Sequence, residues 1–189
     1  MPEFLELLPP TLALQILLNK ITPQASIETI PLSQALGRVT AQDLVAAHPL
    51  PMFNRSAVDG YAVRAGDTYG ASESLPAYLT LCGEALMGKA PAFTVQAGEC
   101  ALIHTGGMLP EGANAVLLLE YTQIVGAGSS HPQTEVEIYK SVAEGENIIA
   151  IGEDVAQGQV VQPKGSLMRH AEIGGLMALG ITKLRVSKK

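Results

Sequence analysis

The sequence predicts a mainly β protein with some α, in which a β-rich domain is inserted into a mixed α/β one. Three observations carry that prediction. The 189 residues include 19 glycines and 12 prolines, a density of turn formers that breaks the chain into short segments. They are 47% hydrophobic but only 4% aromatic and contain no Trp, so a core exists and is aliphatic. The apolar period is helical at both ends and close to two in the middle.

The elements follow in order. Pro9-Pro10 and Thr11 open a helix to about Lys20, with Leu14, Leu17, Leu18 and Ile21 on one stripe and Pro23 just beyond. A second short helix, about 32–36, stops at Gly37, a residue suited to a left-handed C-terminal cap. Strands are expected over 78–82, 100–105, 115–121 and 136–140. The run Ala115 to Leu119 is nearly all apolar, which suits a strand covered on both faces, whereas Val136 and Ile138 alternate with Glu135 and Glu137. The stretch from Gly126 to Pro132 reads as a mobile hairpin loop. A third helix is expected over 170–179, ending at Gly180, and a last strand over 181–186. Residues 47–142 then form the inserted domain, with 1–46 and 143–189 making the mixed one. A chain that stops directly after a strand reads as one cut at a domain boundary.

Several function classes are excluded by composition. The formal net charge is −6, and no Lys/Arg cluster precedes Lys188 and Lys189, so no nucleic-acid partner is expected. Cys82 and Cys100 are the only cysteines and lack a CxxC spacing, which rules out a zinc knuckle or redox motif. The first residues carry Glu3 and Glu6 rather than a basic leader, and the apolar stretch Leu12 to Leu18 is too short to span a bilayer. The expectation is a cytoplasmic protein with reduced thiols and no membrane partner. His104 and His170 have no second imidazole at ligand spacing and are read as structural or exposed; Glu120, at a strand end, is read as structural.

Gly83 to Ala90 stops one residue short of a phosphate-binding loop. Ala90 stands where Ser or Thr must ligate magnesium, and Pro91 replaces the start of the helix. A β-hairpin turn is the better reading. The most informative segment is Pro51-Met52-Phe53-Asn54-Arg55-Ser56-Ala57-Val58-Asp59-Gly60-Tyr61-Ala62, where hydrogen-bonding side chains crowd before a tight Asp-Gly turn. Asp59 is either a cap of its own turn or a functional carboxylate. Thr105 follows a strand and precedes Gly106-Gly107, where a backbone without side chains can approach an anion. Asp154 and Glu153 lie in a Gly-flanked turn, where a capping role is the alternative.

Four segments in order resemble the molybdopterin molybdenumtransferases, the MoeA and gephyrin E-domain family. The 51–62 segment resembles Pro-x-Phe-Asp-Asn-Ser-x-Met-Asp-Gly-Tyr-Ala, and Gly83 to Pro91 resembles Gly-Glu-x-x-Ala-Gly-x-x-Pro. His104 to Asn114 resembles Met-Thr-Gly-Ala-x-Leu-Pro-x-Gly-Ala-Asp, and Gly145 to Asp154 resembles Gly-x-Asn-x-Arg-x-x-Gly-Glu-Asp. The resemblance covers the N-terminal region of that family only. It implies coiled, bifurcated β-sheets and an elongated homodimer. It also implies that the domain with the molybdopterin pocket is absent here, and that the pocket faces the β-rich domain of the other subunit.

The implied reaction converts adenylated molybdopterin and molybdate into molybdenum cofactor with release of AMP. Such chemistry calls for Mg2+ on hard oxygen ligands. The residues expected to carry it are Asp59, Thr105 and Asp154 as catalytic groups, with Asp59 also the metal ligand. Ser56, Gly106 and Gly107 are the expected binding contacts. Molybdopterin adenylyltransferase and recipient molybdoenzymes are the expected transient partners. Against the pattern, Asn54 and Arg55 replace Asp-Asn, Asn114 replaces Asp, His104 replaces Met, and Ile149 stands where the pattern has Arg. The competing expectation is a non-catalytic dimerisation or scaffold module.

Overall fold

The computed structural model describes residues 8–21, 26–125 and 134–188. The chain divides into two compact units, Met1–Leu44 with Val160–Lys189, and Val45–Gln159. The described residues are mainly β with two α-helices.

In the first unit, the strands Ile27–Pro31 and Lys183–Ser187 pair antiparallel, Ile27 opposite Ser187 and Pro31 opposite Lys183. One face of the pair carries Ile30, Leu184 and Val186, which close a core with Leu32, Ala35, Leu44, Met168 and Leu176. Helix His170–Ala178 starts where the Glu172 carboxylate accepts the Arg169 N–H at 3.1 Å. It ends in a Schellman motif: Ile181 N–H donates to the Leu176 carbonyl, Gly180 N–H donates to the Met177 carbonyl, and Gly180 takes φ +72. The short helix expected over 32–36 is a single 3-10 turn, Leu32–Gln34.

Helix Pro10–Lys20 has proline at its first position, where the missing N–H costs nothing. None of its residues is buried. Leu14, Leu17, Leu18 and Ile21, the expected stripe, are all more than half exposed, so the described residues do not cover it.

The second unit holds a six-stranded sheet. Its order is Ala115–Leu118, Gly60–Val63, Glu99–Ile103, Ala77–Ala85, Glu135–Ile138 and Thr122–Val125. All neighbours are antiparallel except Ala77–Ala85 with Glu99–Ile103, which run parallel with a register shift at Cys82. One face packs Tyr61, Val63, Leu79, Cys100, Leu117, Val136 and Ile138; the other packs Ala62, Ala85, Ala101, Ile103 and Val116. Gly60–Val63, with its four residues all buried, lies between two neighbours. A Cβ on Gly60 would sit 1.9 Å from the Leu117 carbonyl oxygen, so only glycine allows the strands this approach.

Three expectations are corrected here. Residues 143–159 pack with the strand-rich unit rather than the mixed one, because Ile148–Ile149 pairs antiparallel with Arg55–Ser56 and Val116 N–H donates to the Glu146 carbonyl. The strand expected over 115–121 breaks at Leu118, where Leu119–Tyr121 forms a 3-10 turn before Thr122–Val125; Glu120 is exposed on that turn. The Gly83–Ala90 segment turns at Gly88, φ +74, but does not form a hairpin, since the strands on either side of it are parallel neighbours. The Gly126–Pro132 loop lies outside the described residues.

Candidate functional site

The strand Glu99–Ile103 delivers the chain to His104-Thr105-Gly106-Gly107, a turn closed by the Gly107 N–H donating to the His104 carbonyl at 2.8 Å. Gly106 takes φ +83 at the third position, as a type II turn demands. A Cβ on Gly107 would meet the His104 carbonyl at 2.9 Å. One strand over, Asp59 leads into Gly60–Val63. Its Oδ1 accepts the Thr105 N–H at 2.7 Å and the Thr105 hydroxyl at 3.1 Å. The carboxylate therefore does not cap its own turn. It spans the two elements and fixes the Thr105 loop against the Asp59 bend.

This pairing holds the Asp59 carboxyl below its ordinary 3.8, chiefly through the Thr105 backbone N–H, then through the Thr105 hydroxyl. The nearby His104 adds a smaller push in the same direction. Asp59 is exposed, so it is an accessible anion with one oxygen engaged and no protein donor on the other among the described residues. His104 is half-buried, and its Nε2 lies 2.9 Å from Glu84 Oε1. That partner comes from the segment that failed as a phosphate-binding loop. Beside the turn is a cleft of about 160 Å³ lined by Phe53, Gly88, Lys89, Ala90, Gly106 and Met108, with Lys89 its one cation.

Of the expected site residues, then, the structure brings Asp59 and Thr105 into direct contact. Ser56 is fully buried, and its hydroxyl both donates to the Val58 carbonyl and accepts the Val58 N–H, so it braces the bend. The Gly106 and Gly107 amides are both engaged within the protein. Gly106 N–H donates to the Ser56 carbonyl at 2.8 Å, and Gly107 N–H closes the turn. Their role is to shape the loop.

Asp154 is exposed and pairs with Arg55, Oδ2 to Nη2 3.8 Å. The turn cap is its neighbour: Glu153 Oε2 accepts the Ala150 N–H at 2.8 Å. Among the described residues Asp154 and Asp59 share no hydrogen-bond or ion-pair partner. Glu84, Lys89 and Arg55 were missed as parts of this region. The failed loop motif held Glu84 and Lys89, and only the pairing of distant strands brings them to Thr105 and Gly106.

Two departures from the family pattern now have a physical reading. Asn54 Oδ1 accepts the Ile151 N–H at 2.8 Å, and Asn114 Oδ1 accepts the Ala65 N–H at 2.8 Å. Each side chain acts as an acceptor toward a backbone donor, which an amide oxygen does as an Asp oxygen would.

The family described as "MoeA N-terminal region (domain I and II)" matches residues 8–180. A putative molybdopterin biosynthesis protein of Methanocaldococcus jannaschii is 39% identical over 160 residues, covering 85% of this chain and 36% of its own length. Molybdopterin molybdenumtransferase 2 of Mycobacterium tuberculosis is 39% identical over 158 residues, covering 84% of this chain and 37% of its own length. The crystal structure of a molybdopterin biosynthesis moeA protein from Pyrococcus horikoshii OT3 superposes with a TM-score of 0.87 at 39% identity, covering 97% of this chain and 47% of that one. The chain thus spans little more than a third of the curated relatives it matches and under half of the solved protein.

Proposed function

The chain belongs to the MoeA N-terminal region family, and from that premise we propose that it works as the N-terminal part of a molybdopterin molybdenumtransferase, which inserts molybdenum from molybdate into adenylated molybdopterin. The observation that carries the reading is the Asp59–Thr105 pair: an exposed, ionised carboxylate held by a donor from a glycine-shaped turn, beside a cleft with a lysine. The pterin-binding domain belongs to the remainder of such a transferase, and this unit lends its carboxylate to a pocket formed by the partner subunit.

In this reading Asp59 orients water or a cation at the phosphoanhydride, and Thr105 keeps the carboxylate ionised and aimed. Among the described residues no three His, Cys, Asp or Glu groups converge as a metal cage. A single hard oxygen from Asp59 still fits magnesium, which is commonly held by one or two carboxylates together with substrate phosphates. Bound there, the ion would supply charge neutralisation for the departing AMP. The setting is cytoplasmic, with the adenylyltransferase upstream and recipient molybdoenzymes downstream as transient partners. No helix among the described residues is long and apolar enough to cross a membrane.

The test is Asp59→Asn in the complete transferase, assayed for molybdenum cofactor formed from adenylated molybdopterin, molybdate and magnesium. Asn keeps the shape and an acceptor oxygen but removes the charge. Turnover should fall about 10²- to 10³-fold with melting nearly unchanged, the scale of losing one electrostatic contact to a transition state. Full turnover in the variant would refute the reading. The chain by itself should form no cofactor, because positioning of the substrate is left to the other domain.

One observation favours a second role alongside the first. The uncovered leucines of helix Pro10–Lys20 suit self-association, in keeping with a homodimer. If the chain were only a dimerisation module, Asp59→Asn would leave its self-association in place.

A further inference from the structure

Arg55 and Ile149, with His104, are the departures from the family pattern that the amide substitutions do not explain. The pattern carries Asn at the position of Arg55 and Arg at that of Ile149; here the cation is at 55 and an apolar side chain at 149. In the structure these residues face each other. Arg55–Ser56 and Ile148–Ile149 form an antiparallel pair, and Arg55 is the register partner of Ile149. Side chains at directly opposite positions lie on one face with their Cβ atoms about 5 Å apart. A cation mounted on either strand can therefore reach the same neighbour.

That neighbour is Asp154. From Ile149 the chain runs through the turn capped by Glu153, and the Asp154 amide donates to the Leu50 carbonyl at 2.9 Å. The Asp154 carboxylate ends 3.8 Å from Arg55 Nη2. We propose that the cation has crossed the strand pair: Arg55 takes the place of the arginine that the pattern carries at 149, and it is the positioning residue of Asp154.

The local setting supports this. Arg55 is anchored by its backbone, which bridges to Met108 on the loop that follows Thr105. Its side chain is 37% exposed and that of Asp154 is 55% exposed. Pairs this open contribute little to stability, so the contact matters for where the carboxylate stands. At 3.8 Å the contact is an ion pair rather than a hydrogen bond. Arg55 Nε is buried without an acceptor among the described residues. The guanidinium thus keeps donor capacity beyond the one carboxylate it meets.

The exchange is tested on this chain by NMR, reading the carboxyl carbon signal of Asp154 in the native protein, Arg55→Asn, Ile149→Arg, Arg55→Asn/Ile149→Arg and Arg55→Lys. Arg55→Asn should shift the Asp154 signal with little change in melting temperature. Restoring an arginine at 149 in the double variant should return the signal toward its native position. Arg55→Lys, which keeps the charge, should hold the signal nearer native than Arg55→Asn does, and it decides the matter if Arg55→Asn does not fold. Added salt should move the signal in the native protein and not in Arg55→Asn. An Asp154 signal indifferent to Arg55→Asn, or one that the second-site arginine does not recover, overturns the exchange. The consequence for turnover rests on the function proposed above: in the complete transferase the double variant should regain activity that Arg55→Asn loses. Signal recovery in this chain with no turnover by the native complete transferase would count against that function and leave the exchange standing.

Discussion

Replacing Gly60 by alanine puts a methyl carbon 1.9 Å from the Leu117 carbonyl oxygen and 2.8 Å from its carbonyl carbon. Real Cβ atoms keep beyond 3.0 Å, and the clash is with backbone, not with the end of a flexible side chain. Gly60 pairs with Ile103 on one side and Leu118 on the other, so the strand cannot move away from one neighbour without pressing on the next. A dense interior relaxes only in part, and the two strands must separate locally by roughly 1 Å. Overpacking typically costs 1–3 kcal/mol, and a backbone clash in an interior strand belongs at the top of that range, about 3 kcal/mol. For a chain of this size that is a fall in melting temperature of roughly 6–12 °C. Circular dichroism during thermal unfolding reads it directly, with urea denaturation as the check. The control is Gly174→Ala, in helix His170–Ala178, where a Cβ meets nothing within 4 Å. It should stabilise by about 0.5–1 kcal/mol. A Gly60→Ala protein melting within about 2 °C of native would refute the reasoning, since it would mean the close approach at Leu117 is not required.

Three further outcomes are expected. Thr105→Ala removes the hydroxyl but keeps the backbone N–H, the larger cause, so the Asp59 carboxyl should titrate above its native value and still below 3.8 in a carbon-detected NMR titration. Because the folded carboxyl is depressed, the stability that its pairing contributes is present above pH 3.8 and lost as pH falls through the folded value; the gap in melting temperature between native and Thr105→Ala should close as the solution is acidified. Burial pushes the Cys100 thiol up to about 12, and Cys82 is raised less, so a thiol reagent near pH 8 should label Cys82 slowly and Cys100 only on unfolding, as mass spectrometry of the native and denatured chain would show. Sedimentation at micromolar concentration should give a dimer, and Leu14→Glu/Leu18→Glu on the uncovered helix should give a monomer with an unchanged melting profile; a native monomer would remove the support that this helix lends to self-association.

Much of the fold was legible because it is local. The alternation at Val136 and Ile138, the apolar run from Ala115, and Gly180 after the last helix each act within a few residues, and an element stands at each of these signals, although the strand from Ala115 ends sooner than expected, at Leu118. Gly60–Val63 was not legible. All four of its residues are buried, so it shows no alternation, and the Asp-Gly pair that begins it imitates a turn. The glycine is there for strand approach, a reason held by Leu117 more than fifty residues away. The same limit governs the site. Asp59 and Thr105 were identifiable singly by residue type and pattern, but their bond spans 46 residues and exists only because Gly60–Val63 and Glu99–Ile103 are neighbours. The burial of Ser56 was hidden for the converse reason. A serine among hydrogen-bonding residues reads as a ligand contact, and nothing in its own neighbourhood reveals that its side chain points inward.

One reading of the departures from the family pattern is decay, a copy losing its machinery one residue at a time. Their structural roles argue otherwise. Random loss would strip partners and leave buried backbone donors unsatisfied at a cost of about 1–3 kcal/mol each. Instead, Asn54 and Asn114 each meet a backbone donor. His104, where the pattern has Met, has Glu84 as its partner, and the same imidazole helps keep Asp59 ionised. Arg55 and Ile149 exchange charge across one register position, leaving a cation beside Asp154. These five changes together keep or rebuild local contacts and describe a region maintained with different side chains. Asn54→Asp and Asn114→Asp should for that reason be mild, because Oδ1 remains an acceptor in both. A loss of several degrees in melting temperature from either would show that the amide's NH2 group is needed as well, and would make that asparagine a replacement with a role of its own.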